Sequence, residues 1–247
     1  MRFFDANTCI GMPVSGGPGA SADELLAAMD RAGIERALVW HVAQRDADPA
    51  TGNDLLAEAI AGHDRLAGCW TLLPPQTGEL GSPADWFARA GRANVRAFRA
   101  WPKENRYLLR TETMGEVLTH MVAARLPLVL SVPAAVEWPD LYDLLAAWPE
   151  LTVICADVGC WGSDRFFRPL IERYPSVYVE ISGYFLDGGI EDFVGRYGPG
   201  RLLFGTNFPT AYHGAMMLAL ARAEIDDDAK RAIAAGNLQR LLDRASP

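Results

Sequence analysis

LTVICADVGCWGSDRFFRPLIERYPSVYVEIS, residues 151–182, holds two short apolar runs separated by an amphipathic stretch. LTVICADVG and VYVEIS are rich in Val, Ile and Leu and are bounded by turn residues. That is the pattern of strands buried on both faces of a parallel sheet. The same alternation extends in both directions. Upstream come RFFDANTC (2–9), ALVWH (37–41), LAGCWTLLP (66–74), VRAFRAW (95–101) and PLVLSV (127–132); downstream comes RLLFGTN (201–207). Helix signals fall between them. Ser21 with Glu24 reads as a capping box and Gly33 as its stop. Ser82 caps a helix with Pro83 at its first position, and Thr113 with Glu116 reads as a further capping box. Residues 140–148 carry apolar side chains at helical spacing and end at Pro149. Two helical segments, 215–223 and 226–244, follow the last strand, the second expected as an extra terminal helix. Eight strand–helix units in 247 residues predict an α/β protein, a single (β/α)8 TIM barrel over residues 1–247, since such barrels run to about 250 residues. No GxGxxG follows the first strand, so a dinucleotide-binding fold lacks its fingerprint.

Half of the residues are hydrophobic and the net charge is −8. The first figure suits a packed core and argues against disorder. The second argues against a nucleic-acid surface, which needs clustered Lys and Arg. The opening MRFFDANTC lacks a charged region followed by a long apolar run, so no signal peptide is expected. The apolar stretches are of strand length, too short to span a bilayer. The four cysteines, Cys9, Cys69, Cys155 and Cys160, form no CxxC pair, and a reduced cytoplasmic setting is the expectation. The expected partner is a small molecule rather than a nucleic acid or a membrane, and a homo-oligomer is left open.

In a barrel, active residues sit at the C-terminal ends of the strands and in the loops that follow. Alternation puts Asp5, Asn7 and Cys9 on one face of the first strand, and Glu180 with Ser182 on one face of the seventh. Glu180 is expected in the lumen, where a buried charge invites a cation such as Arg99. Trp40, Trp70, Trp101, Trp138 and Trp161, with Tyr184, Phe185, Phe208 and Tyr212, are placed to build an aromatic mouth for an apolar ligand.

These strings, in this order, resemble the amidohydrolase-related family of metal-dependent hydrolases and decarboxylases. RFFDANTC resembles its opening strand, usually Asp-x-His-x-His. RLPLVLSVP, LTVICADVG, VYVEISGYF and RLLFGTNFP resemble its fifth to eighth strands, and AAGNLQRLL its closing helix. The departures fall on the family's metal ligands. Its paired histidines align with Asn7 and Cys9, its fifth-strand His with Ser131, its sixth-strand His with Asp157, and its eighth-strand Asp with Asn207; Asp5 alone keeps the family residue. Catalytic zinc needs about three imidazole, thiolate or carboxylate ligands. Asn and Ser offer neutral oxygens in their place, so water activation on a metal is not expected and no cofactor is assigned.

Three readings follow. The first is an amidohydrolase-like enzyme that hydrolyses or decarboxylates a small organic substrate without the usual metal. Asp157 and His41 then exchange protons, and Cys9 is a candidate nucleophile if a nearby imidazolium lowers its pKa. Arg99 clamps an anion, and Trp101, Ser131, Tyr184, Asn207, His213 and Asn7 complete the substrate site. Arg99 has a second expected role, pairing internally with Asp5, Glu180 or Asp157. The second reading is an inactive barrel that binds a ligand or a protein. The third is an unorthodox metal site built from Cys9, His41 and Asp157.

Overall fold

Every residue of Phe3–Ile10, which forms β1, is buried. Lumen side chains and the surrounding helices cover its two faces, which is why the run reads as continuously apolar apart from its inward polar positions. A computed structural model describes residues 1–159 and 162–246; Cys160 and Trp161, named above among the cysteines and mouth aromatics, lie outside them. The other strands are β2 (Ile34–His41), β3 (Leu66–Thr71), β4 (Val95–Arg99), β5 (Leu128–Ser131), β6 (Val153–Ala156), β7 (Val177–Glu180) and β8 (Leu202–Leu203). They form one sheet in chain order, each strand parallel to the next.

The helices around the sheet are α1 (Ala22–Ala32), α2 (Ala43–Asp46), α3 (Pro49–Ile60), α4 (Pro83–Arg92), α5 (Thr111–Ala123), α6 (Trp138–Ala147), α7 (Asp164–Arg173), α8 (Gly189–Tyr197), α9 (His213–Arg222), α10 (Asp227–Arg231) and α11 (Asn237–Arg244). Alternation of parallel strands with helices, closed on itself, is the (β/α)8 barrel. The Ser21–Glu24 capping box and the Gly33 stop are both present, as is the Ser82 cap with Pro83. Two expectations change. Thr113 lies inside the first turn of α5, whose cap position is Arg110; its hydroxyl donates back to the Arg110 carbonyl at 3.0 Å, so it serves the turn from within. The terminal stretch 226–244 is broken by a π turn, Ala232–Gly236. Its widened ring leaves the Ile233 carbonyl to accept from Phe204 N at 2.9–3.0 Å geometry, the observed distance being 3.0 Å. Beyond it the buried Asn237 amide donates to the carbonyls of Pro199 and Leu202, both at 2.8 Å. The terminal helix thus fixes the short eighth strand.

The barrel closes where β1 meets the chain around β8. Ala6 N donates to Phe204 O, Cys9 N to Phe208 O and Asn207 N to Asn7 O, each at 2.9 Å. Asp5 adds a side-chain clamp. Its carboxylate accepts from Thr206 N at 3.0 Å, from Thr206 Oγ1 at 2.5 Å and from Asn7 N at 3.0 Å. The family residue retained in this chain therefore seals the seam.

Gly205, inside that seam, is pressed against the seventh strand. A Cβ there would stand 2.1 Å from Glu180 Oε1 and 2.5 Å from its carboxyl carbon. Both groups are buried, so neither can yield without moving the network around Glu180. Gly205→Ala is expected to cost roughly 1–3 kcal/mol, at about 2–4 °C of thermal midpoint per kcal/mol for a chain of this size. A midpoint unchanged by the substitution in thermal unfolding would mean that Glu180 is not held against this glycine.

Candidate active site

Asn7 is the centre of the lumen. It comes from β1, yet its side chain meets three strands across the barrel. Nδ2 donates to Asp157 Oδ1 at 2.8 Å and to Glu180 Oε2 at 2.9 Å. Oδ1 accepts from an Arg99 guanidinium N–H at 3.1 Å. These partners orient the amide, because the flipped rotamer would face its oxygen to two carboxylates and its NH2 to a cation. Ser131 Oγ, from the end of β5, donates to Asp157 Oδ2 at 2.5 Å. Ser182 donates to Glu180 through Oγ at 2.9 Å and through its backbone N–H. The expected internal pairing of Arg99 is therefore indirect. Among the described residues no carboxylate forms an ion pair with it; Asn7 stands between the guanidinium and the acids.

Arg99 is enclosed. Its guanidinium carbon lies 5.0 Å from the Trp40 ring centre and 5.1 Å from that of Trp101, and the two indoles are 4.9 Å apart. Arg45 approaches the same rings at 5.4 and 5.5 Å while pairing with Asp46 at 2.5 Å. Two cations on two indoles are held by cation–π attraction in a dry setting. The clamp on a substrate anion expected of Arg99 does not suit this placement, since the side chain is buried. Arg45 was not foreseen; nothing in the sequence marks it beyond its position in the loop after β2.

Burial sets the protonation of the lumen acids. Glu180 is pushed up to about 8, first by desolvation and then by the nearby Asp157 charge. Asp5 is pushed up to about 7 by desolvation, against the pull of its bonds to Thr206 and Asn7. Burial without a facing cation favours the protonated form of each.

The other sequence candidates disperse. Cys9 is in the lumen but buried, and its thiol is pushed up to about 11 by desolvation, which Arg99 and Arg45 offset only in part. It stays a thiol at neutral pH rather than the activated nucleophile expected. His41 turns outward from β2. It lines a cavity with Gly11, Glu24 and Glu58, and its Nδ1 accepts from Ala43 N at 3.1 Å. The imidazole therefore does not join Cys9 and Asp157, because alternation along β2 sends Trp40 inward and His41 away. Tyr184 is buried outside the lumen, donating to Asp164 at 2.8 Å. His213 stacks on Phe208 at 4.8 Å and faces the groove between α1 and α9. Asn207 holds a left-handed backbone, φ 57°, as Asn does most readily among non-glycine residues. It is half-buried, and its backbone, not its side chain, bonds to Asn7.

Among the described residues the aromatic mouth is reduced to Trp40 and Trp101. Trp70, on β3, packs on Trp86 of α4 and Trp138 of α6 stacks on Phe166 of α7, while Phe185 and Tyr212 stand exposed. Asp157 is the one carboxylate of the Asn7 network that is only half-buried, and it too holds a left-handed backbone, φ 58°. Such a conformation in a non-glycine residue costs on the order of 1–3 kcal/mol and is common at functional sites. Among the described residues no three His, Cys, Asp or Glu side chains are grouped to hold a metal ion. Cys9, His41 and Asp157 do not form the unorthodox site considered from the sequence.

The raised acids give a pH dependence with a definite sign. A folded pKa above the unfolded value means that the native state binds the extra proton, so stability is full below the unfolded value and falls as pH rises. For Glu180 the window runs from its ordinary 4.5 to about 8. The thermal midpoint is expected to fall across that window, and the fall should be shallower in Glu180→Gln. Equal slopes in the two proteins would contradict a proton held on Glu180.

The sequence profile of the family described as amidohydrolase matches residues 15–244. No curated protein matches the chain. Among solved structures, a dihydroxybenzoic acid decarboxylase from Polaromonas sp., with manganese and the inhibitor 2-nitroresorcinol bound, superposes with a TM-score of 0.76 at 16% identity, over 98% of this chain and 97% of its own. A probable 2-pyrone-4,6-dicarboxylic acid hydrolase from Acinetobacter baumannii, with citric acid bound, gives 0.74 at 13% identity, over 98% and 100%. The 5-carboxyvanillate decarboxylase of Sphingomonas paucimobilis gives 0.72 at 14% identity, over 99% of each chain. At these identities the likeness establishes the barrel. The profile match, spanning nearly the whole sequence, establishes more: this chain belongs to the amidohydrolase family.

Proposed function

We propose that this chain is an amidohydrolase-type barrel that acts on a small organic acid, by hydrolysis or decarboxylation, without a catalytic metal and with Asp157 as its proton-transfer group. The observation that carries the reading is the Asn7 amide, whose Nδ2 lies 2.8 Å from Asp157 and 2.9 Å from Glu180. An amide nitrogen between two carboxyl groups fills the space a cation would need, and its N–H donors cannot ligate one. The remaining donor set, with Asn and Ser in place of imidazoles, does not suit zinc. The chemistry of the relatives points to small organic acids as the substrate class.

Asp157 is aimed from two sides. Ser131 holds one oxygen at 2.5 Å and Asn7 the other at 2.8 Å, while the residue keeps access to the mouth. Arg99 acts through Asn7: it fixes the amide orientation, and the amide fixes Asp157. The partly exposed cation of this region is Arg45, which replaces Arg99 as the group to meet a substrate carboxylate. A carboxylate fixed in this way can take a proton from, or deliver one to, a bound acid.

A second reading is favoured by the closed lumen, in which Asn7, Cys9, Arg99, Ser131 and Ser182 are all buried. A barrel filled in this way suits a module that binds a ligand or a protein partner without turnover. One experiment separates the two. A panel of small aromatic and aliphatic acids and their lactones is screened for turnover, with and without chelator, in the native protein and in Asp157→Asn. Turnover that survives chelation and falls about 10²–10⁴-fold in the variant, the range of general acid–base catalysis, is the expected outcome. Loss on chelation with recovery in manganese or zinc sinks the metal-free reading. Binding without turnover in both proteins moves the second reading to first.

A further inference from the structure

The loop after β4 roofs a cavity of about 550 Å³ on the outer wall of the barrel, between α5 and α6. None of its lining residues belongs to the Asn7 network. The volume is that of pockets which enclose small organic ligands. Its walls are apolar and partly aromatic, from Tyr107, Leu109, Val136, Leu144 and Trp148. The base is fixed, since Trp148 Nε1 donates to Thr111 Oγ1 at 3.0 Å. The roof is tied down at Lys103, which reaches the Pro133 carbonyl at 3.1 Å and Glu137 at 2.5 Å.

The rim carries three cations, Lys103, Arg106 and Arg110, and three acids, Glu112, Asp140 and Asp143. Lys103 is taken by Glu137, and Arg110 faces Asp140 and Asp143, each at 3.5 Å. Glu112 lies in the first turn of α5, where the helix dipole favours an anion. Arg106 is left: among the described residues it has no ion-pair partner, and it lines the same cavity. Its backbone is held in the left-handed region, φ 58°. An unpaired guanidinium beside an apolar, ligand-sized pocket recognises an anion with an apolar body.

We propose that this cavity is a second binding site, separate from the barrel mouth, for an amphiphilic organic anion whose ring or chain lies against Trp148 and Leu144 and whose acid group meets Arg106. The probe is 8-anilinonaphthalene-1-sulfonate, followed by fluorescence, with stoichiometry from equilibrium dialysis. Two substitutions at exposed positions keep the fold testable: Arg106→Glu reverses the charge, and Ala147→Trp fills the cavity. One probe per folded chain is expected, with binding weakened at least about 10-fold in Arg106→Glu, as for the loss of a charge-assisted contact, and lost in Ala147→Trp. The uncharged N-phenyl-1-naphthylamine should be indifferent to Arg106→Glu. Absence of saturable binding, or affinity unchanged in both variants, overturns the site; loss in Ala147→Trp alone overturns the anion.

Discussion

A single amide holds the interior of this barrel together. Asn7 spans three strands, donating to Asp157 and Glu180 and accepting from Arg99. In a dry lumen each of those groups would be costly alone, and their mutual bonds offset that cost, although Arg99 Nε finds no partner among the described residues. Asn is suited to the place because it offers two donors and an acceptor without a charge of its own. It links the cation to the acids at one remove, which leaves Arg99 free to lie between Trp40 and Trp101. It also leaves the acids without a facing cation, so nothing offsets the desolvation that pushes Glu180 up.

The rest of the architecture accommodates this arrangement. Asp5 turns from the network to the seam, where it takes both polar groups of Thr206. Gly205 gives up its side chain so that Glu180 fits. The π turn in the terminal helix and the buried Asn237 hold the eighth strand, which pairs as only Leu202–Leu203. Two of the left-handed residues, Asp157 and Asn207, lie beyond the ends of β6 and β8. The fold depends on the strand faces and the seam rather than on the side chains at these two positions.

The barrel was legible because each strand announces itself. ICADVG, VYVEIS and LLFG are bounded apolar runs, and Ser21, Gly33 and Ser82 mark helix ends by local chemistry that needs no tertiary context. Asn7, Ser131 and Asp157 were legible as polar positions on otherwise apolar strands and their ends, and the structure joins these three. The side of the strand decided the failures. His41 and Trp40 are neighbours, and only the register of β2 settles which one enters the lumen. Tyr184 and His213 sit just past strand ends, in loops where alternation no longer applies, and their partners Asp164 and Phe208 come from packing. Arg45 and Gly205 carry no pattern at all; their roles exist only once four strands and a loop have met.

The central claim is that an amide nitrogen occupies the place between Asp157 and Glu180. Crystals grown in manganese and then in zinc, with diffraction recorded at each metal's absorption edge, test it directly. The account expects no anomalous peak in the lumen and continuous density for the Asn7 amide between the two carboxyl groups. An anomalous peak at about 2.0–2.2 Å from an oxygen of Asp157 or Glu180, the distance of a carboxylate–metal bond, would contradict it.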